Sequence, residues 1–326
     1  MTVINGRLDE QVDGGTRVGA RDRSAVVRAL FKVAKLTVFQ HYFGLALAWT
    51  LLPWSVATQA RTLGVFACCL ISVVAVVAAT TALDDLVGFR NGGDIRSYGA
   101  NGNERGARRK PLLDGAVTER QVIVFIAIAQ AVGLCAGIGA FLVAGAWPLS
   151  AVALFLAAAA LSPQYSWGLR LSFRPGGAEA LLWYSTVATL LWPYLLLQGT
   201  QVATALLESA LLGCYFMLVL LSENANDATA DAAVGRRTLA VVLPLTATRA
   251  LVAGLAVCSI LLPIWAAVAG LLPYLVLLLL VPAWLLLARQ VALGAGRGRW
   301  LPAAVWGFAA FNAGFVALLV TNILAW

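Results

Sequence analysis

The chain has 326 residues, is 61% hydrophobic and 12% charged, and carries a formal net charge of +8 with a mean hydropathy of +0.86. A water-soluble domain of this length needs far more polar surface, so the composition predicts a polytopic all-α membrane protein. Its uncharged runs of about 20 residues are long enough to cross a ~30 Å hydrocarbon core as helices.

Residues 1–29 are polar and rich in Arg and Gly, with no apolar h-region or small-residue cleavage site. They are expected to form a cytoplasmic tail rather than a signal peptide. Residues 30–326 make one transmembrane domain with nine expected spans: 36–56, 63–83, 122–143, 147–161, 180–197, 203–221, 250–268, 271–287 and 301–326. The fourth is short. Cys68, Cys69, Cys135, Cys214 and Cys258 all fall inside apolar runs without metal-ligand spacing, and are expected to be buried thiols. His41, the only histidine, is expected to be a hydrogen-bonded helix residue rather than a base.

With the N-terminus inside, 22 of the 23 Lys and Arg residues fall on one face, Arg61 being the exception. This is the positive-inside pattern, and it supports an odd number of spans. The expected location is the cell membrane, with the C-terminus opposite the cytoplasmic N-terminus. The basic charge is therefore topological, with lipid as its surroundings, and nucleic acid is not an expected partner. The opposite-face connections, near 57–62, 144–146, 198–202 and Gly270, are too short to hold an active site. The inside loops 84–121, 162–179 and 222–249 hold 10 of the 15 acids, and residues 1–29 another four. Glu208, near the outer end of the sixth span, is expected to snorkel or pair.

Two acidic stretches follow even-numbered spans and so share a membrane face. In the second, Glu223, Asp227 and Asp231 recur at i, i+4 and i+8. A helix continuing through them stacks three like charges on one face, stable only beside a cation. The first runs Asp84-Asp85-Leu86-Val87-Gly88-Phe89-Arg90-Asn91-Gly92-Gly93-Asp94. Basic clusters follow each: Arg105, Arg108, Arg109 and Lys110 after the first, Arg236 and Arg237 after the second. Carboxylates beside cations suit Mg²⁺, which takes one or two carboxylates plus phosphate oxygens. Arg and Lys add charge-assisted hydrogen bonds to phosphate. An anionic phosphate head with an apolar tail is the implied substrate, as in a polyprenyl diphosphate.

The run Glu223-Asn224-x-x-Asp227-x-x-x-Asp231-x-x-x-Gly235-x-x-Thr238-Leu239 resembles a signature of the UbiA superfamily of intramembrane prenyltransferases. Arg109-Lys110-Pro111-Leu112-x-x-Gly115 is similar to that family's Arg-Pro-Leu-x-x-Gly segment. Tyr165-Ser166-x-x-Leu169, Arg174 and Gly177-Ala178-Glu179 are similar to its middle cytoplasmic loop. The first stretch departs from the family's usual Asn-Asp-x-x-Asp-x-x-x-Gly-x-Asp: Asp84 stands for the first Asn and Gly88 for the middle Asp, while Asp85 and Asp94 remain. Gly88, Gly92 and Gly93 also count against a continuous helix here, at about 1 kcal/mol each.

The resemblance implies a nine-helix bundle with its active site at the cytoplasmic side. It implies Mg²⁺ held by Asp84, Asp85, Asp94, Glu223, Asn224, Asp227 and Asp231. Asp85, Asp94, Asp227 and Asp231 would be the catalytic acids, and Tyr165 a catalytic aromatic whose face stabilises an allylic cation. Arg109, Lys110, Arg174 and Arg237 would bind the diphosphate. Trp167, Trp183 and Tyr184 stand nearby and are equally well explained as interfacial aromatics. Three functions follow: prenyl transfer to an acceptor, for which an aromatic ring is one candidate, in specialised metabolism; cyclisation of the same cation by a membrane terpene cyclase; or transport. Transporters place polar groups and broken helices at the midplane, whereas these acids gather at the rim.

Overall fold

The computed structural model describes residues 23–36, 39–94 and 110–325, so Arg105, Arg108 and Arg109 lie outside the described residues. Among the described residues every regular element is helical. A first helix, α1 (Arg23–Val33), precedes a 3₁₀ turn at Phe39–Tyr42, α2 (Phe43–Thr50), α3 (Trp54–Ala57) and the long α4 (Ala60–Arg90). Next come α5 (Glu119–Ala144), α6 (Leu149–Leu161) with a 3₁₀ extension to Tyr165, and α7 (Gly177–Leu196). The remainder is α8 (Val202–Ala233), α9 (Leu239–Val242), α10 (Leu245–Val268), α11 (Leu275–Val291) ending in a π turn at Ala292–Gly296, and α12 (Trp300–Leu324).

Six of these, α4, α5, α8, α10, α11 with its π turn, and α12, are long and apolar enough to cross a membrane. They coincide with the second, third and sixth to ninth expected spans. The expected first span is instead broken. Its α2 has eight residues, and Pro53, which has no N–H to donate, takes an extended ψ of 141° between α2 and α3. The fourth is the 13-residue α6, and the fifth is the 20-residue α7.

The bundle is apolar on its outside as well as inside. Leu142, Leu261, Leu278, Leu285 and Val305 are each more than half exposed, a surface that suits lipid and not water. Cys135 and Cys258 share this outer face, contrary to the expectation of uniformly buried thiols, whereas Cys69 is buried; no cysteine is paired among the described residues. Inside, Leu47, Leu190, Leu211, Leu218, Val252, Leu280 and Phe311 join α2, α7, α8, α10, α11 and α12 in one core. Helices α4 and α5 approach closely at Gly133, whose carbonyl accepts from Ser72 Oγ at 2.7 Å. A Cβ there would lie 2.7 Å from Val76, so only a small residue permits this contact.

Glu208 does not snorkel. It is fully buried and accepts from Asn322 Nδ2 at 3.1 Å, and Asn322 Nδ2 also faces Thr50 Oγ1 at 3.3 Å. The acid thus ties α8 to α12 and α2.

Two helices outrun the membrane. At 1.5 Å per residue the 32-residue α8 is about 48 Å long, well beyond a ~30 Å hydrocarbon core. Its polar last turns, Ser222–Ala233, therefore project from the bundle. The 31-residue α4 likewise carries Asp84 and Asp85 in its final turns. As the glycines imply, no single helix runs through the whole stretch, although α4 carries Gly88 and continues to Arg90. Tertiary packing outweighs the propensity cost, because Gly88 is buried against Asp94. The chain turns back only at Gly92, whose φ of +70° suits glycine.

Candidate active site

The ends of α4, α6 and α8 meet at one end of the bundle, and each acid of the first stretch has a definable partner. Asp85, only 2% exposed, accepts from Lys110 Nζ at 2.7 Å through Oδ1, and Lys35 Nζ lies 3.1 Å from the same oxygen. Lys110 Nζ also lies 3.1 Å from Asp94 Oδ1. Asp94 reaches this position because the turn at Gly92 folds it onto Gly88, where a Cβ would stand 2.9 Å from Asp94 Oδ1. Burial pushes the Asp94 carboxyl above its usual range, with Lys110 pulling partly back. Burial alone would depress the Lys110 ammonium, but Asp85 and Asp94 outweigh it and hold its pKa above the ordinary lysine value. Asp84 accepts from Ser166 Oγ at 2.6 Å and from Arg236 Nη2.

The second stretch behaves as its spacing predicts. Helix α8 continues to Ala233, placing Glu223, Asp227 and Asp231 on successive turns of one face. Glu223 and Asp227 are exposed and Asp231 is half-buried. Beyond the membrane-spanning part of α8, the Asp231 carboxyl is pushed up to about 6 by burial, against the pull of Arg236 and with repulsion from Asp227. Asn224, expected as a metal ligand, turns to another flank and donates to Glu179 Oε1 at 2.7 Å. The same oxygen accepts from Leu239 N at 2.8 Å.

The helix ends where Gly235, at φ +82°, reverses the chain and Arg236 N–H bonds to the Asp231 carbonyl at 2.9 Å. That turn carries the Arg236 side chain back between the two stretches, paired with Asp84 and 3.9 Å from Asp231. Arg237 has a different part. Its N–H donates to Ser172 O at 3.1 Å and its carbonyl accepts from Gly176 N at 3.2 Å, while its side chain is exposed. This pairing, with Glu179, docks the middle loop onto the end of α8. Exposed Arg174 donates from Nε to the Leu169 carbonyl at 2.9 Å.

Four participants escaped sequence reasoning: Lys35, Ser166, Glu179 and Arg236 as the bridging cation. Arg236 and Ser166 sat inside recognised motifs, and Glu179 was noted only for its loop. Lys35 left no signal, since 50 positions separate it from Asp85. Among the aromatics, Tyr165 is half-buried beside Ser166; burial, then the Asp84 charge, raises its phenol pKa, so it keeps its proton. Tyr184 is spent on the Leu154 carbonyl at 2.9 Å, and Trp167 faces outward. A second aromatic group lies deeper. His41 meets Phe216 edge-on at 5.0 Å, Phe216 lies 5.7 Å from Phe311, and Phe43 stacks on Phe315 at 3.8 Å.

The donor chemistry separates the two stretches. Among the described residues no three His, Cys, Asp or Glu side chains converge as a ready cage. Mg²⁺ does not demand one, since one or two carboxylates and substrate phosphates suffice. The exposed face of Glu223, Asp227 and Asp231 fits such an ion: its donors are hard oxygens, Arg236 is no nearer than 3.9 Å to Asp231, and Lys35 acts on Glu223 only through its charge. The first stretch does not fit, because Lys35, Lys110 and Arg236 already engage its three carboxylates.

Glu179 supplies a direct structural test. Glu179→Ala is expected to strand the Leu239 N–H and the Asn224 amide, costing about 1–3 kcal/mol. Thermal unfolding in detergent would register this as a lowered midpoint, and an unchanged midpoint would contradict the docking role.

Together these features define an α-helical bundle with a lipid-compatible exterior and paired acidic stretches at one end. Comparison supplies the family. The model of the UbiA prenyltransferase family matches residues 37–308, and the chain belongs to that family. Its fold is similar to that of digeranylgeranylglyceryl phosphate synthase (TM-score 0.63, 14% identity, covering 92% of this chain and 99% of that one). It is also similar to a UbiA homologue from Archaeoglobus fulgidus bound to GPP and Mg²⁺ (TM-score 0.56, 13% identity, 90% and 98% covered). A third is the apo UbiA homologue from Aeropyrum pernix K1 (TM-score 0.55, 16% identity, 92% and 98% covered). No curated protein sequence matches the chain.

Proposed function

We propose that this protein is a Mg²⁺-dependent intramembrane prenyltransferase that ionises a polyprenyl diphosphate and passes the prenyl group to an acceptor, with an aromatic ring one candidate, in specialised metabolism. The observation that carries the reading is the open acidic face of Glu223, Asp227 and Asp231, linked through Arg236 to Asp84. The A. fulgidus homologue with GPP and Mg²⁺ bound supports the same substrate class.

Asp227 and Asp231, with Glu223, would hold the ion, which when bound neutralises charge developing on the diphosphate leaving group. Arg236 and exposed Arg237, with Arg109, would meet diphosphate oxygens through charge-assisted hydrogen bonds. Tyr165, keeping its proton, would present an aromatic face to the allylic cation. The aromatic group of Phe43, Phe216, Phe311 and Phe315 lies deeper in the bundle and would shield the tail from water. Because 22 of 23 basic residues favour one face, this end is assigned to the cytoplasm, with residues 1–29 as a tail there. In this assignment the broken first segment, α6 and α7 complete nine crossings in the cell membrane.

A terpene cyclase would capture the same cation internally, and product analysis separates the two. Purified protein is incubated with geranyl diphosphate and Mg²⁺ and no acceptor. A transferase releases little diphosphate and only linear alcohol. A cyclic hydrocarbon or alcohol formed at enzyme-like rates would transfer the assignment to the cyclase.

The pH dependence follows from Asp231. Its carboxyl holds a proton below about pH 6, and a divalent ion needs the ionised form. Burial likewise pushes Glu223 up to about 6, so apparent Mg²⁺ affinity is expected to be flat above that pH and to fall about a hundredfold per unit well below it, as two protons compete. Titration calorimetry from pH 5 to 8 would measure the slope; a pH-independent affinity would exclude Asp231 as a ligand.

A further inference from the structure

The first acidic stretch has three carboxylates and three cationic side chains in contact with them. Lys110 Nζ sits between Asp85 Oδ1 at 2.7 Å and Asp94 Oδ1 at 3.1 Å, and Lys35 Nζ adds a second ammonium 3.1 Å from Asp85. Arg236 takes Asp84. The arrangement depends on Gly88. A Cβ there would lie within 3.1 Å of the Asp94 carboxylate carbon and both of its oxygens, so a side chain at 88 would push Asp94 away. The missing side chain is therefore occupied space, filled by the carboxylate that Lys110 holds.

We propose that the Lys110 ammonium is the resident cation of the first acidic stretch, so that the protein works with a single divalent ion, held by the second stretch. This rests on the Mg²⁺-dependent reading above. One buried oxygen, Asp85 Oδ2, has no hydrogen-bond partner among the described residues. A dication there would stand one carboxylate's width from two ammonium groups, and like charges so close disfavour it. The second stretch offers the opposite balance, three carboxylates along one helix face with Arg236 3.9 Å from Asp231 alone. A fixed ammonium also does what the second ion would do for the fold: it keeps Asp85 and Asp94 together without exchanging with solvent.

The test counts ions on the full-length protein in detergent, using Mn²⁺ with inorganic pyrophosphate and reading bound Mn²⁺ by electron paramagnetic resonance. Wild type is expected to bind one ion per chain. Asp85→Asn with Asp94→Asn should retain it, and Asp227→Asn with Asp231→Asn should lose it. Lys110→Met combined with Lys35→Met frees the two carboxylates of Asp85 and Asp94, the number that suffices for such an ion, and should raise the count to two. Two ions in wild type would overturn the proposal while leaving Mg²⁺-dependent prenyl transfer standing. So would a count that stays at one in the Lys35→Met/Lys110→Met variant, or loss of the ion in the Asp85/Asp94 variant. No ion in any chain would remove both readings together.

Discussion

Replacing Asp227 and Asp231 together with asparagine is expected to abolish Mg²⁺-dependent diphosphate release, a loss of about 10³-fold or more. Both side chains lie on the projecting end of α8, outside the apolar core, so the fold does not need their charge. They also repel one another across a helical turn, and removing that repulsion is expected to stabilise the helix by about 0.2–0.5 kcal/mol. The two readouts therefore move in opposite directions: activity collapses while the melting temperature holds or rises slightly. A solvated, merely structural acidic face predicts the reverse, with activity retained. Diphosphate release by a coupled assay and thermal unfolding on the same preparation decide between them. Activity and Mg²⁺ dependence both surviving in the double variant would take away the main support for an enzyme of this class.

Arg236→Ala is the second large effect, and here stability and activity should fall together. The guanidinium pairs with Asp84, whose side chain is 15% exposed against 24% for Arg236. Removing one partner of a largely buried pair leaves an uncompensated charge, at about 3 kcal/mol. Ser166 Oγ at 2.6 Å would remain on Asp84, but a neutral donor does not replace the cation. The same substitution uncouples the two acidic stretches, since Arg236 also lies 3.9 Å from Asp231. Activity is expected to fall about 10²-fold, the size of one lost electrostatic contact to a developing charge. Arg236→Lys restores charge without the planar fork and should recover stability better than rate. Arg237→Ala, whose side chain is exposed, should be at least tenfold milder. Equal losses at 236 and 237 would mean that this bridge does not matter.

Much of this was legible in the chain itself, for two physical reasons. Apolar runs of membrane length can only be satisfied as helices in lipid, so six of the expected spans stand as long apolar helices. Carboxylates at i, i+4 and i+8 must share a face once the helix continues, so the Glu223, Asp227 and Asp231 face followed from spacing. Family membership was equally readable from Glu223 to Leu239. Of the three glycines that argued against a helix through the first stretch, Gly92 does reverse the chain and only Gly88 is carried within α4. The helix continues because tertiary contacts there outweigh about 1 kcal/mol of backbone entropy per glycine. The unbroken first span was an error, since hydropathy does not register that Pro53 has no N–H to give.

Which cation meets which acid was settled by the tertiary structure alone. Arg236 and Arg237 are adjacent in sequence and chemically identical. The reversal at Gly235 sends one side chain inward to Asp84 and leaves the other in solvent. Lys35 and Lys110 lie 50 and 25 positions from the Asp85 they neutralise, a distance at which sequence carries no pairing information. The sequence by itself determined a membrane-embedded helical bundle with two acidic stretches at one end, because periodicity and hydropathy are local properties. Only the packed bundle decided that one stretch is closed by its own lysines and the other left open, because charge pairing is decided by distance in space.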